Sequence, residues 1–323
     1  MQTSRIPAFS LIIPVLICIA CLNQSMTNRN SLQSGVSSVQ NALTESPIRQ
    51  PSSALGIMSR ADVHVFHPRP VVIGNASGYT PPNFTQFRDT QAKKQAFYEY
   101  LLPKIHLANQ EVILERKWLS ALIKNIDHGI YPSDEELEAL NRIENRYAVK
   151  RNRYLRKSSR SHQSVDTPQF ERASSIKRRL NAMLIRADIV PASLVLAQAA
   201  KESGWGTSRF AREGNNFFGI WCFNRGCGMT PSRRDNNRTH EVATFDSVEE
   251  GVRYYIRTIN SHFAYAELRS MRANARQQHI RMYGDKLATG LVSYSERGMV
   301  YVNEIRSMIQ YNQLKRFTRI YSA

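Results

Sequence analysis

The sequence predicts a mainly α protein: a helical domain with one small β-rich lobe inserted directly after an acid-ended helix, and a helical extension on its N-terminal side. Three observations predict it. Apolar residues recur at spacings of three and four over 89–147, and again from 168 to the end. That period disappears over 215–245, where glycines, two cysteines and the alternating His240-Glu-Val-Ala-Thr-Phe245 replace it. The helix just before this stretch begins at Ser193, is rich in Ala and Leu, and ends on a single acid, Glu202, followed by Ser203-Gly204-Trp205-Gly206.

The chain has 323 residues, enough for one or two domains with a real core. Its 44 Lys and Arg outnumber 26 Asp and Glu, giving a net charge of +18. A surface this basic attracts polyanions: nucleic acid, anionic lipid or an acidic wall polymer. Residues 1–21 narrow the choice. Arg5 precedes an almost wholly apolar run, Ile6 to Cys21, and polar Asn23-Gln24-Ser25 follows. This is the layout of a bacterial-type export signal. The run is too short and too interrupted by proline for a comfortable membrane span. Cys18-Ile-Ala-Cys21 matches a lipoprotein processing site imperfectly, because Cys18 stands where an aliphatic residue usually begins it. Lipidation at Cys21, simple cleavage and an uncleaved anchor all remain open, the first and last bringing membrane association. The expected location is the periplasm or cell envelope, which argues against nucleic acid as a partner.

The elements follow in order. Residues 22–88 are rich in Ser, Asn, Gln, Thr and Pro and read as a disordered linker, with a more apolar stretch at 63–74. Residues 89–149 form the helical extension, a hairpin. Phe97, Leu101, Leu102, Ile105, Val112, Trp118, Leu119, Leu122 and Ile126 mark its first helix, which Pro103 bends or restarts. Ser133 and Glu136, at capping-box spacing, open the second, with Leu137, Leu140, Ile143 and Tyr147 on one face. Residues 150–167 are a basic linker, either solvated or an electrostatic adhesion tract. The domain is 168–323. Phe170, Ile176, Leu180, Met183, Leu184 and Ile185 mark one helix, and Pro191 favours the start of the Glu202 helix. Thr207 caps a short helix ending by Gly214. After the lobe, Ser247-Val-Glu-Glu250 launches a helix with Val252, Tyr255, Ile256 and Ile259 inward. Helices through 271–290 and 295–317 finish the chain.

Glu202 stands in an awkward place for a carboxylate. The partial negative charge of a helix C-terminus and apolar neighbours both disfavour ionisation, so its pKa is expected to rise. A carboxyl kept protonated near neutral pH suits a general acid, although most glutamates near helix ends are merely solvated or salt-bridged. Cys222 and Cys227 are the only cysteines beyond the N-terminal segment, and His240 is the only histidine near them. Two cysteines make a poor zinc site, and in an oxidising compartment they can close a tight disulfide loop. No metal and no cofactor is expected.

The run A-Q-A-A-K-E-S-G-W-G-T-S-R-F, followed by N-N-F-F-G-I-W, resembles the peptidoglycan N-acetylglucosaminidases of glycoside hydrolase family 73, within the lysozyme-like superfamily. The stretches G-C-G-M-T-P, H-E-V-A-T-F-D-S and Y-S-E-R-G-M-V-Y-V-N-E-I look closest to its Bax-type members. The resemblance covers about 168–318. It implies a lysozyme-like fold, with Glu202 protonating the leaving oxygen of a β-1,4 glycosidic bond in peptidoglycan. It places Trp205 and Phe218 on the cleft floor or its supporting core, Asn216 and Gly219 at the turn before the lobe, and Tyr265 near the reacting sugar. A second carboxylate is expected from the lobe: Glu241 rather than Asp235, with Asp246 just outside. Glu241 pairing with a nearby arginine, and assistance by the sugar's own acetamide, are alternatives. Among the aromatics Trp205, Phe217, Phe218, Trp221, Phe223, Tyr254, Tyr255 and Tyr265, the expected sugar contacts are Trp221 and Tyr265. The rival functions are a glycan binder that keeps the fold without cutting, and a lytic transglycosylase.

Overall fold

The computed structural model describes residues 80–147, 169–231 and 241–318. The export segment 1–21 with Cys18 and Cys21, the basic linker 150–167, and Asp235 and His240 lie outside the described residues. Among the described residues no helix is long and apolar enough to cross a membrane.

The chain enters its core earlier than expected. Phe84, inside the stretch read as linker, is 1% exposed and packs edge-on against Phe97, Tyr100 and Phe217. A single aromatic anchor overrides the polar composition around it. Asp89 then caps α1 (Thr90–Asp127) by accepting from the Ala92 amide at 2.5 Å. The helix runs through Pro103 without a restart, because its buried stripe from Phe97 to Ile126 stays in register on both sides.

That stripe serves two clusters. The first half of α1, from Phe97 to Val112, lies in the same core as the Glu202 helix. The second half, Trp118 to Ile126, packs with α2 (Asp134–Arg146) and α3 (Gln169–Arg186) through Leu140, Ile143, Leu180 and Met183. Ser133 and Glu136 form the expected capping box at the start of α2.

The centre of the molecule is α4 (Ala192–Ser203), whose residues from Ala192 to Ala200 are all buried. Small side chains let neighbours approach closely on every side. It is followed by α5 (Arg209–Gly214), capped by the Ser208 hydroxyl at 3.2 Å from the Ala211 amide, one residue beyond the expected Thr207. Thr207 instead donates to the Gly204 carbonyl at 2.7 Å.

The lobe is a three-stranded antiparallel sheet in the order β1 (Trp221–Cys222), β3 (Glu241–Ala243), β2 (Gly228–Met229). Ser247 then caps α6 (Val248–Ser261), with Val252, Tyr255, Ile256 and Ile259 buried as expected. The reciprocal Glu250 bond reaches the Asp246 amide at 3.0 Å. The remaining chain is more broken than the periodicity suggests. It comprises a 3-10 turn (Phe263–Tyr265), α7 (Ala266–Gln277), α8 (Gly284–Leu287), a 3-10 stretch (Ala288–Tyr294), α9 (Met299–Tyr311) and a last 3-10 turn (Leu314–Phe317). α9 and the Ala288–Tyr294 stretch pack against each other, and α9 also packs on α4.

A buried ionic knot ties α1 and α7 to the turn after α3. Asp188 is 1% exposed and faces Arg116, Arg272 and Arg276. Burial works to raise its carboxyl, but the guanidiniums, Arg272 foremost, outweigh this and hold it below the ordinary range. Arg272 also donates to the Ile185, Arg186, Asp188 and Ile189 carbonyls, satisfying the end of α3.

Candidate active site

Glu202 occupies the last turn of α4 because the helix is stopped hard just after it. Gly204, Trp205 and Gly206 take three successive left-handed conformations, with φ of 57°, 60° and 79°. Gly206 must be glycine: a Cβ there would meet the Phe84 ring at 2.3 Å. Trp205 is held in its strained conformation by edge contacts with Phe97 and Tyr98, ring centroids 5.4 and 5.8 Å away, and by Lys94 above the ring. It braces the turn against α1.

The surroundings of the Glu202 carboxyl come from several elements. Tyr301, on α9, donates to Oε1 at 2.9 Å. Lys201 precedes it on α4 and forms an ion pair with Glu304 at 2.5 Å. Glu202 is partly exposed, yet burial is the strongest influence on it and raises its carboxyl above the ordinary range. Glu304 pushes the same way, while the Tyr301 bond and Lys201 oppose it. Tyr265, Tyr294 and Tyr301 are all raised, by burial first and by the Glu202 charge next. They therefore remain neutral hydrogen-bond donors at ordinary pH. Tyr294 and Tyr301 stack with centroids 5.4 Å apart, and Tyr265 lies 6.0 Å from Tyr294.

Glu304, one turn along α9 from Tyr301, has the opposite character. Burial tends to raise it, but Arg297 and Lys201 outweigh that and hold it below the ordinary range. Two neighbouring carboxyls thus have environments that push them apart.

The turn into the lobe comes close to the acid. Asn216 is 1% exposed and its amide is fully used: Nδ2 donates to the Ile220 and Ala243 carbonyls at 2.9 and 2.8 Å, and Oδ1 accepts from the Phe218 and Ile220 amides at 3.2 and 3.1 Å. Phe218 is 2% exposed, stacks on Tyr255 with centroids 4.1 Å apart, and its carbonyl accepts from Tyr294 at 3.0 Å. Both side chains are buried. Gly219, with φ of 62°, faces the acid: a Cβ there would lie 3.6 Å from Glu202 Oε2.

In the lobe, Cys222 and Cys227 form the expected disulfide. Glu241 lies against it, opposite Cys222 in the β1–β3 register. Its Oε1 accepts from the Gly226 amide at 3.0 Å and its Oε2 from the Gly228 amide at 2.8 Å. The carboxylate therefore fastens the disulfide loop to the sheet. Trp221 is half-buried on β1, and Tyr265 is 7% exposed. The structure brings Glu202, Tyr265 and the Gly219 turn together. It sets Trp205 behind the turn, on the α1 side, and Glu241 under the disulfide.

Tyr294, Tyr301, Gln198 and Glu304 are the site residues that sequence reasoning missed. The signal for two of them was spacing: Tyr301 and Glu304 are three apart on a helix and so share a face. Gln198 is one turn before Glu202 within the otherwise apolar run 194–200, which is where a buried amide needs a reason.

Residues 180–314 match the glucosaminidase family model, described as mannosyl-glycoprotein endo-beta-N-acetylglucosaminidase. The chain is 31% identical over 239 residues to Protein bax of Escherichia coli (strain K12), covering 74% of this chain and 77% of that protein. No solved structure matches.

Proposed function

The chain belongs to the Bax-type glucosaminidase-domain family, and on that premise we propose that it is a peptidoglycan hydrolase cleaving the β-1,4 bond on the reducing side of N-acetylglucosamine, with Glu202 as general acid. One observation carries the reading. The only acid on α4 ends the helix partly exposed, raised by burial, and ringed by neutral tyrosines.

Glu202 gives its proton to the glycosidic oxygen as the bond to the anomeric carbon breaks, and water completes the hydrolysis. We assign Tyr265 and Trp221 to the sugar-facing wall, and Asn216, Phe218 and Trp205 to its support. Glu241 is occupied by the Gly226 and Gly228 amides, so we assign it to holding the lobe. The other half of the reaction then falls to the substrate acetamide or to Asp235 of the lobe. The exported location proposed from residues 1–21 would place a basic protein against an acidic wall polymer, raising the local substrate concentration.

Digestion of purified peptidoglycan, followed by mass spectrometry of the fragments, tests this. New reducing-end N-acetylglucosamine is expected. Anhydro-muramyl ends would instead identify a lytic transglycosylase. Pelleting with sacculi without any product would identify a glycan binder.

A further inference from the structure

The hydrogen bonds behind Glu202 run in one direction. The Tyr255 hydroxyl donates to Gln198 Oε1. Gln198 Nε2 donates to the Tyr301 oxygen at 2.9 Å, and the Tyr301 hydroxyl donates to Glu202 Oε1 at 2.9 Å. Gln198, Tyr255 and Tyr301 are buried. A phenol has one proton, and an amide accepts on one side and donates on the other, so the direction at one end sets the direction at the other.

The reverse order is worse. With Gln198 flipped, Tyr301 would donate to the amide oxygen and Glu202 would have to donate to Tyr301. The Tyr255 hydroxyl bonds Gln198 alone among the described residues, so it would become a buried donor without an acceptor. The flip also fails once Glu202 ionises, because an ionised carboxylate can only accept. Oε1 is thus an acceptor in both protonation states, and the proton of neutral Glu202 sits on Oε2. That oxygen points at Gly219, the position where a Cβ would stand 3.6 Å away.

We propose that the buried chain Tyr255–Gln198–Tyr301 makes Oε2 of Glu202 the proton-donating atom, aimed at the space beside Gly219, with Gln198 and Tyr255 as positioning residues. This rests on Glu202 being the general acid. In the step, the Oε2–H proton passes to the glycosidic oxygen as its bond to the anomeric carbon breaks. Glu202 becomes a carboxylate whose Oε1 still accepts from Tyr301, and Oε2 regains a proton from the entering water. The groups facing this carboxyl are Lys201 on α4, Tyr255 on α6, Tyr265 and Tyr294 on the two 3-10 segments, and Tyr301 and Glu304 on α9.

The test compares Tyr255→Phe, Tyr301→Phe and Gln198→Met in the full chain. Glu202 is titrated by carbon-13 NMR of glutamate-labelled protein, its signal assigned by loss in Glu202→Gln, and kcat and KM are followed against pH on purified peptidoglycan fragments. Tyr301→Phe removes a bond that favours the anion, so the titration and the basic limb of kcat both move up in pH. Tyr255→Phe removes a hydroxyl that, among the described residues, bonds Gln198 alone, yet it moves both in the same direction by less. It lowers kcat about fivefold to tenfold, one hydrogen bond's worth, with KM unchanged. Gln198→Met lies between them. The proposal is overturned if Tyr255→Phe leaves the titration and kcat at wild-type values while Tyr301→Phe moves both. It is also overturned if the variants lose melting temperature and activity together with Glu202 titrating unchanged. If the wild-type protein cuts no glycan, the functional reading fails, while the titrations still decide whether the chain acts on Glu202.

Discussion

Replacing Glu202 by Gln separates the chemistry of the acid from its packing. The amide keeps an oxygen for Tyr301 and sets its nitrogen where Oε2 stood, beside a glycine that offers no side chain to clash. Shape survives and the transferable proton does not. A positioned general acid contributes about a hundredfold to ten-thousandfold, which corresponds to about 3–5 kcal/mol of barrier. Release of reducing sugar from purified peptidoglycan should therefore fall by at least about a hundredfold. Stability should move the other way. The folded state holds the Glu202 proton more tightly than the unfolded chain, whose glutamates titrate near about 4.3. Between that pH and the folded-state pKa the native protein carries more protons than the unfolded one, so wild-type stability falls as pH rises through this window. Glutamine has no such loss. Urea unfolding should find the variant closest to wild type below about pH 4 and more stable than wild type at neutral pH. A variant retaining more than about a tenth of the activity, against the loss expected of a general acid, would refute the assignment. So would one less stable than wild type at neutral pH.

Glu304→Gln removes a negative charge that raises Glu202 and frees Lys201 beside it, so the basic limb of the pH–rate profile should shift to lower pH, opposite to Tyr301→Phe. Asp188→Asn leaves the fully buried Arg272 without its carboxylate and should cost about 3–5 kcal/mol in urea unfolding near neutral pH. Because the Asp188 carboxyl is depressed in the fold, its contribution is present above about pH 4 and fades as pH falls through the folded value, so the gap to wild type should narrow in acid. Joint replacement of Cys222 and Cys227 by Ser opens a loop of sequence separation 5, for which chain entropy predicts about 2 kcal/mol. Hydrogen exchange should then speed up at the Gly226 and Gly228 amides that Glu241 now holds.

The periodic parts of the fold were readable because periodicity records burial. Val252, Tyr255, Ile256 and Ile259 face inward as their spacing requires, and the Ser133–Glu136 box caps where its pattern says. The position of Glu202 was readable for a similar reason: an alanine-rich run stopped by Gly204 sets it in the last turn of a buried helix. Its partners were not, because they converge from distant segments. Tyr301 lies 99 residues from Glu202, and no local pattern announces that its hydroxyl reaches Oε1. Glu241 is the converse case: nothing in its sequence neighbourhood shows what its carboxylate touches. Its place in a polar lobe fits a catalytic carboxylate, but the disulfide loop turns two backbone amides onto it, and only the fold reveals that. Phe84 was hidden in a stretch whose composition spoke for a linker, since average polarity cannot register one anchoring ring.

The same packing bears on where the functional unit begins. The matched family region starts at residue 180, and the periodicity places a domain start near 168. The core does not respect either boundary. Phe97, Tyr100, Leu101, Ile105 and Val112 of α1 are buried in one cluster with Leu194 to Ala200 of α4. Polar groups cross the same seam. Asn109 exchanges two bonds with Val190 at 2.8 and 2.9 Å, Glu111 meets Arg253 at 3.0 Å, and Lys104 meets Glu249 at 3.0 Å. Each large apolar side chain so buried is worth about 1.5–3 kcal/mol, and several together match the about 5–15 kcal/mol by which a whole domain is stable. Removing α1 would also strip Trp205 of Phe97 and Tyr98, the contacts that hold the left-handed turn after Glu202. A chain beginning at 168 should therefore lack a cooperative thermal transition and be cut rapidly by protease, whereas one beginning at 80 should melt cooperatively. Full stability of the shorter chain would mean that α1 rests on the domain without completing it, and the turn that positions the acid would need another support.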